Sequence, residues 1–456
     1  MPGAVASPRY WVETLGCPKN AVDSDKVVAS LVADGLQPAD AAEDADLVIV
    51  NTCAFVEAAR EESIETILTL AGARKPGAKL VVTGCLAERS GAELAAALPE
   101  VDAVIGFAGE GSIGSTVMGD VLLGMPKRKP IGVRDLLELP RAVRTVGEGA
   151  APWAYLKIAE GCDRACAFCA IPSFRGAQRS RTPDALVAEA RGLVESGVVE
   201  LVLVAQDLAW YGRDVGEPRS LAPLLRRLDA ELAPVGLRRI RLLYLYPSEV
   251  RDPLVSTMLE LPTVVPYFDL SLQHADRALL ARMKRWGSGE RFLGLIDRIR
   301  TLEPDATFRS SFIVGFPGET EAAHETQLSF LEDARLDWAG FFPFSSEAGT
   351  AAATLDGTVP PHLMSEWLAE CDAVQMPITE AARDALAVAG TEVEVLVDGI
   401  DEDTAELIGR THREAPEIDG VVRLEGASAR PGVVVRAKVT AAVGTDVIAT
   451  PIEVVA

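Results

Sequence analysis

Six of the seven cysteines fall into two sets of three, and the sets are built differently. Cys162, Cys166 and Cys169 are local, within Gly-Cys-Asp-Arg-Ala-Cys-Ala-Phe-Cys, with C-x3-C-x2-C spacing. Cys17, Cys53 and Cys85 are dispersed. Each follows an apolar run that reads as a strand: Tyr-Trp-Val-Glu-Thr-Leu-Gly, Asp-Leu-Val-Ile-Val-Asn-Thr and Lys-Leu-Val-Val-Thr-Gly. Three thiolates on a four-iron cluster leave one iron without a protein ligand, which points to chemistry at that iron more than to electron storage. Structural zinc competes for the local set. It wants four ligands, and the chain has only four histidines, with His274 a distant fourth donor. For the dispersed set the competing reading is three unrelated buried thiols.

The chain has 456 residues, which suggests roughly three domains. The N-terminus lacks a basic start and a long apolar stretch, so no export signal is expected. No apolar run is long enough to span a bilayer. With an odd cysteine count, reduced thiols or metal ligands are expected rather than disulfides, in a cytoplasmic protein without membrane contact. The formal net charge of -23 repels nucleic acid and favours basic partners, although acidity alone also serves solubility.

The expected fold class is α/β. Residues 8–120 alternate short apolar strands with helices such as Glu57–Ala73, which indicates a parallel sheet with its ligand edge at the carboxyl ends of the strands. Residues 121–150 read as an irregular linker. Residues 151–361 carry six strand-like runs separated by helices: Ala154–Ala159, Glu200–Ala205, Ile240–Leu245, Tyr267–Leu272, Thr307–Gly315 and Trp338–Phe344. Six βα units predict a partial (β/α)6 barrel with its site at the C-terminal strand ends. Residues 362–388 read as a helical connector, with Cys371 a packed thiol. Residues 389–456 read as a small antiparallel β-barrel. Residues 391–456 hold 13 Asp and Glu against 6 Lys and Arg, and no Phe, Tyr or Trp.

Polar residues collect at the predicted strand ends: Gln206, Asp207, Tyr246, Gln273 and His274, then the turn after Gly315. His274, Asp207 and Tyr246 are the candidate catalytic residues, and anchoring of the barrel is the alternative for each. Arg175 and Arg179, just past the cysteine loop, are candidate partners for a substrate or cofactor carboxylate, against the alternative of surface arginines.

The local motif resembles the signature of the radical S-adenosylmethionine enzymes. The resemblance implies that Cys162, Cys166 and Cys169 hold a [4Fe–4S] cluster whose open iron binds the amino and carboxylate groups of S-adenosyl-L-methionine. One electron then cleaves a sulfur–carbon bond and releases a 5′-deoxyadenosyl radical. No acid or base of a protein opens an unactivated C–H bond, so a cofactor must carry that chemistry. Phe168 matches the aromatic residue common between the last two cysteines, near the adenine. Gly315-Phe-Pro-Gly-Glu-Thr320, including Gly318, resembles the segment near S-adenosylmethionine, although such a turn alone only reverses the chain. Gln206 and Gln273 are the remaining expected cofactor contacts.

Taken together, the three parts are similar to the methylthiotransferases over nearly the whole chain, the last part matching their TRAM domain. The resemblance implies that Cys17, Cys53 and Cys85 hold a second [4Fe–4S] cluster that supplies or carries sulfur. One S-adenosylmethionine methylates the sulfur and another generates the radical, leaving a C–S–CH3 group on the substrate. An electron donor such as flavodoxin or ferredoxin is implied. Several segments resemble the branch that modifies the β-carbon of an aspartate in protein twelve of the small ribosomal subunit. These are Leu15-Gly-Cys-Pro-Lys-Asn-Ala-Val-Asp-Ser24, the run from Glu160 to Gly176, Leu243-Tyr-Leu-Tyr-Pro247 and Gln273-His274. Ser310-Ser departs slightly from the family pattern. An acidic terminal barrel without aromatics suits a basic ribosomal protein, where complementary charge speeds encounter. It suits transfer RNA poorly. The rival readings are a tRNA adenosine methylthiotransferase and a non-catalytic iron–sulfur redox or scaffold protein.

Overall fold

The computed structural model describes residues 7–118, 136–143, 145–146, 150–401, 403–426 and 428–455. The N-terminal part runs β1 (Arg9–Thr14), α1 (Pro18–Ala33), β2 (Gln37–Pro38), β3 (Leu47–Thr52), α2 (Glu57–Ala73), β4 (Lys79–Gly84), α3 (Cys85–Ala97), β5 (Ala103–Val104) and α4 (Ile113–Val117). Its strands form one parallel sheet in the order β2-β1-β3-β4-β5. Every residue of β3 is buried, because both faces of the sheet are covered. Successive residues serve opposite layers. Leu47 and Ile49 pack on Val27 and Leu31 of α1, while Val48 and Val50 pack with Ile67 of α2 and Leu86 of α3.

Residues 121–135, the first half of the expected linker, and 144 and 147–149 in its second half lie outside the described residues. Part of the second half is packed rather than loose. Leu136 and Leu139 join the core under α1, and Lys26 donates to the Leu137 carbonyl at 2.7 Å.

The central part holds β6 (Trp153–Lys157), β7 (Ala159–Glu160), α5 (Ile171–Arg175), β8 (Arg179–Ser180), α6 (Pro183–Glu195), β9 (Glu200–Val204), α7 (Leu221–Leu232), β10 (Arg239–Leu242), α8 (Asp252–Glu260), β11 (Tyr267–Gln273), α9 (Arg277–Arg282), α10 (Gly289–Leu302), β12 (Thr307–Val314), α11 (Glu321–Ala334) and β13 (Trp338–Pro343). Strands β6, β9 and β10 pair in parallel, as do β11, β12 and β13. Single bridges, Ile240 to Val264 and Leu245 to Leu270, join the two sheets into one six-stranded arc. Among the described residues β6 and β13 do not pair, so the barrel stays open. The six strands lie where the apolar runs place them.

The open barrel is filled from both ends. Ala154 and Leu156 face the helices, while Tyr155 faces inward with Val202, Val204, Leu243, Tyr267 and Trp338. Val22 of α1 and Ala415 of the C-terminal part complete that inner cluster. The loop around Ala415 is held by side chains near the strand starts. The Tyr155 hydroxyl donates to Glu417 (2.7 Å), the Tyr267 hydroxyl to Asp419 (2.6 Å), and the Trp338 indole to the Arg413 carbonyl (2.6 Å).

The 29-residue helix α12 (Pro361–Ala389) leads to the last part, and Cys371 within it is fully buried. Strands β14 (Glu392–Ile400), β15 (Leu407–Arg410), β16 (Val422–Leu424), β17 (Val434–Val443) and β18 (Asp446–Val454) close into a barrel in the order β14-β15-β16-β18-β17. The barrel is not wholly antiparallel as expected, because β16 and β18 run parallel. Five strands in a closed ring cannot all alternate in direction, so one parallel pair is required.

Burial raises the Asp419 carboxyl to about 6, despite Arg309 and the Tyr267 hydroxyl beside it. In the unfolded chain it titrates near 3.9. The folded state therefore keeps this proton to higher pH, and stability falls as pH rises through that window, by on the order of 2 kcal/mol. Asp419→Asn should remove this dependence. Denaturant midpoints of both proteins at pH 4.5 and 6.5 check it, and a wild-type-minus-variant difference that does not move with pH contradicts the assignment.

Candidate active site between two cysteine trios

The dispersed cysteines converge because each ends a neighbouring strand unit of one parallel sheet. Cys17 precedes α1, Cys53 follows β3 and Cys85 opens α3. Two of the turns demand glycine. Gly16 has φ +88°, and a Cβ there would lie 2.7 Å from the Cys53 Cβ and 2.8 Å from its sulfur. Gly84 has φ +87°, and a Cβ would lie 2.6 Å from the Thr52 backbone. The glycines before Cys17 and Cys85 thus let those strand ends approach the Thr52–Cys53 turn closely. Asn20 ties the same turns together, donating to the carbonyls of Leu15 (2.9 Å) and Thr52 (3.0 Å). Ser63 brackets Cys53, accepting from its N–H and donating to its carbonyl, both at 3.1 Å.

The local cysteines occupy the loop after β7, at the C-terminal ends of the barrel strands. The N–H of Arg164 points at the Cys162 sulfur (3.4 Å), and Arg285 reaches the Cys166 sulfur (3.5 Å). Two arginines and a tyrosine frame this loop. Arg164 lies 3.7 Å over the Trp210 ring and 3.8 Å over Tyr246, and Arg285 lies 4.0 Å over Tyr246. Asp207 accepts from Arg164 at 2.8 Å. Tyr246 and Asp207 therefore hold the arginines that hold the cysteine loop.

The two trios are joined by a buried chain of charges. Arg175, at the end of α5, donates to the Cys85 sulfur (3.2 Å), Asn20 (2.5 Å), Glu160 (2.7 Å) and Asp23 (3.3 Å). Lys157 donates to Glu160 (2.7 Å) and also pairs with Asp23. Gln206 donates to Glu160 at 2.6 Å. Glu160 lies two residues before Cys162, so one guanidinium links the Cys85 turn to the local cysteine loop. Behind it, Ala170 and Phe174 pack with Ala54, Cys85 and Leu86. A second tie runs from Glu347, which pairs with Arg60 and with Arg89 (2.7 Å).

His274 is fully buried. Its Nδ1 accepts the Asp276 N–H at 3.0 Å, which leaves Nε2 as the donor toward Glu319 at 3.1 Å. Glu319 in turn accepts from the Gly315 N–H at 2.6 Å. The Gly318 N–H donates to the Gly357 carbonyl at 2.7 Å. Met364 and Arg282 fill the spaces where Cβ atoms of Gly315 and Gly318 would project. Gln273 holds a left-handed φ of +73° at the end of β11. Phe168 is half-buried against the barrel core. Arg179 lies on exposed β8, and Arg175 is committed to the charge chain. Arg285 and Lys157 carried no sequence signal, because their partners come from remote elements, and Asp23 and Glu319 were visible only as members of the Leu15–Ser24 and Gly315–Thr320 segments. Glu160 and Arg164 were visible only as members of the cysteine motif.

Thiols are the donors an iron–sulfur cluster takes, and those of each trio lie close enough to act on one another. Among the described residues, however, no three His, Cys, Asp or Glu are placed to hold a single metal ion. Burial pushes the Cys162 thiol up to about 11 and those of Cys85 and Cys169 to about 12, so each favours its neutral form until a cationic metal offsets burial. Burial also acts on Cys17, but Lys19, Arg175 and backbone N–H groups outweigh it and hold that thiol below its ordinary value. Beside the local trio, Gln206 Oε1 and Asp207 Oδ1 are buried without a hydrogen-bond partner, as a polar ligand requires.

Residues 9–106 match the uncharacterized protein family UPF0004, residues 156–331 the radical SAM superfamily, and residues 389–452 the TRAM domain. The fold is similar to that of the radical S-adenosylmethionine methyltransferase TsrM from Kitasatospora setae, with a TM-score of 0.53 at 14% identity, covering 76% of this chain and 77% of that one. An open barrel with a C-x3-C-x2-C loop at its strand ends, matched by that superfamily, defines a radical S-adenosylmethionine protein, with the [4Fe–4S] cluster and S-adenosylmethionine that the class implies. The chain is 42% identical to the ribosomal protein uS12 methylthiotransferase RimO of Salinispora tropica, over 97% of this chain and 95% of the relative. It is 43% identical to the protein of the same name from Moorella thermoacetica, over 95% and 96%. The chain belongs to the RimO family of methylthiotransferases.

Removing one member of a buried ion network costs about 3–5 kcal/mol. Arg175→Leu is expected to lower unfolding stability by that amount, because Glu160 and Asp23 are left with Lys157 alone. Arg175→Lys should recover only part, since a point charge cannot serve Asn20, Glu160 and the Cys85 sulfur together. Urea unfolding of the three proteins measures the effect, and a loss below about 1 kcal/mol for the leucine variant contradicts it.

Proposed function

We propose that this protein attaches a methylthio group to the β-carbon of an aspartate in ribosomal protein uS12. The observation that carries the reading is the meeting of two cysteine trios across the Arg175–Glu160 link, at facing strand ends of the sheet domain and the barrel. Cys162, Cys166 and Cys169 hold the cluster that binds S-adenosylmethionine. Cys17, Cys53 and Cys85 hold a second [4Fe–4S] cluster, the site from which sulfur is delivered. When bound, these groups supply the one-electron and sulfur chemistry that side chains lack.

The chain's own residues bind, orient and exclude water. Phe168, Gln206, Gln273, Gly315 and Gly318 line the S-adenosylmethionine side. Gln206 has a free buried acceptor there, and His274 with Glu319 fixes the Gly315 turn. His274, Asp207 and Tyr246 are positioning residues in this reading, since each is engaged with a neighbour that shapes the cofactor loop. The acidic terminal barrel, net -7 over residues 391–456, favours a basic ribosomal protein over transfer RNA. A ribosomal substrate places the reaction in the cytoplasm, and no helix among the described residues is long and apolar enough to cross a membrane. An electron donor such as flavodoxin or ferredoxin, an acidic one-electron carrier, docks in this reading over the surface that carries Arg251, Arg291, Trp286 and the Arg298–Asp252 pair. Trp286 follows Arg285, which touches Cys166.

Two tests address this reading. Cys162→Ala should abolish S-adenosylmethionine cleavage, whereas Cys17→Ala should keep cleavage and lose methylthio transfer. Product analysis on anaerobically reconstituted protein reads both, and normal transfer by the Cys17 variant rejects the division of labour. Mass spectrometry of ribosomal proteins with and without the gene should show a methylthio increment on one aspartyl peptide of uS12. An unchanged uS12, or an increment on transfer RNA instead, rejects the substrate.

A further inference from the structure

Lys19 is the buried cation that has neither a carboxylate nor a carbonyl partner among the described residues, although its charge acts on the Cys17 thiol two residues away. It is 8% exposed, on the first turn of α1, two residues past Cys17. Each of the other buried lysines and arginines among the described residues donates to a carboxylate or a carbonyl. Lys157, Arg175, Arg181, Arg241, Arg383, Arg410 and Arg413 reach carboxylates. Lys26 and Arg239 reach carbonyls. Lys19 makes one contact of note, with its ammonium 3.7 Å over the Tyr244 ring. A ring face satisfies part of the charge but accepts no conventional hydrogen bond, and the ammonium makes none to the described residues. It is not among the side-chain atoms sealed from solvent without a partner, so it is open to a ligand. A buried cation in that state is a site for an anion.

The position decides which anion. Tyr244 stands two residues beyond the end of β10, at the C-terminal face of the barrel, with a left-handed φ of +68°. Its N–H is fixed by Asp269 at 2.9 Å. Lys19 therefore reaches from the first trio onto the strand-end face that carries the second. Of the other cations near the trios, Arg175 and Lys157 are saturated by Glu160 and Asp23. Arg164 is paired through Nε with Asp207, while its Nη2 has only Glu249 at 3.5 Å, and Arg285 is turned to the Cys166 sulfur and the Ser271 carbonyl.

We propose that Lys19 is the subsite for the side-chain carboxylate of the substrate aspartate. The inference rests on the reading under Proposed function and adds to it the residue that recognises the target side chain. The carboxyl carbon is bonded directly to the β-carbon. Clamping it with an ammonium fixes the β-carbon within one bond of a known point between the two trios, which is the positioning that C–H chemistry needs. A carboxamide in the same place offers no charge to the ammonium, so the subsite selects aspartate over asparagine.

The test uses the reconstituted holoenzyme and purified uS12 in two forms, one with the target aspartate and one with asparagine in that place. Fluorescence anisotropy reads both affinities. Wild type should bind the aspartate form about 10-fold tighter or more, as expected for a charge-assisted bond. In Lys19→Met the two affinities should become equal, while Lys19→Arg should keep the preference. Iron content per chain, equal to wild type, separates this effect from a damaged cluster site. Equal binding of the two uS12 forms by wild type overturns the proposal whatever the variants do. A preserved preference in Lys19→Met overturns it as well, and leaves the methylthiotransferase reading standing if wild type modifies uS12. Failure of wild type to bind or modify either form removes that reading, and the subsite with it.

Discussion

The Arg175 guanidinium is the contact on which the rest of the architecture turns. A parallel sheet domain and an open barrel have no reason to present their strand ends to each other unless something rewards the approach. Burying two like domains edge to edge would strand the polar turns that hold the cysteines. Arg175 resolves this with donors pointing both ways: to Asn20, Asp23 and the Cys85 sulfur on one side, and to Glu160 on the other. Its planar fork suits several acceptors at once, which lysine cannot match. Such buried charge is weak as a source of stability but strong as a specifier, because any other docking leaves Glu160 or Asp23 unpaired.

An open barrel needs filling, and this one is filled by pieces of its neighbours. Val22 enters from the sheet domain and Ala415 from the terminal barrel. The three parts are consequently one packed object. The terminal barrel in particular is held by more than its linker helix: Arg239 and Arg241 donate into the backbone of residues 394 and 410–412, and Arg410 reaches Glu200 at 2.9 Å. Its acidic outer surface is therefore presented in a fixed direction relative to the cysteine loops, which a flexible tether could not achieve.

Much of this was legible in the chain. The six barrel strands are short apolar runs bounded by polar residues, and the cysteines end such runs, so both strand and site follow from local pattern. What escaped the pattern was set by contacts between distant residues. Strand β15 is only four residues long and contains Gly409, and β18 carries Pro451, so neither reads clearly as a strand. The parallel β16–β18 pair follows from ring closure, which no window of sequence contains. Arg285 looks like any exposed helix-end arginine until Tyr246 and Cys166 are folded against it. The loop of residues 411–419 has the composition of an ordinary polar connection, yet it closes the barrel interior.

The charge distribution makes chemical sense of both scales. Outside, the chain is strongly acidic. At the centre the balance reverses, with Lys19, Arg164, Arg175 and Arg285 placed around the two sets of sulfur. Thiolates are anions, and burial penalises them unless cations stand close. The three dispersed cysteines display the two regimes within one trio. Cys17, facing Lys19 and Arg175, is held below its ordinary value, whereas burial prevails at Cys53 and Cys85 and raises both. A site that must hold anionic sulfur and admit an acidic side chain needs more positive charge than its ligands alone consume. Arg175 is consumed by the fold and Arg164 by the cysteine loop. The surplus remains on Lys19, buried over the Tyr244 ring without an acid, and on Arg285, which lies over Tyr246 and reaches only the Cys166 sulfur and the Ser271 carbonyl.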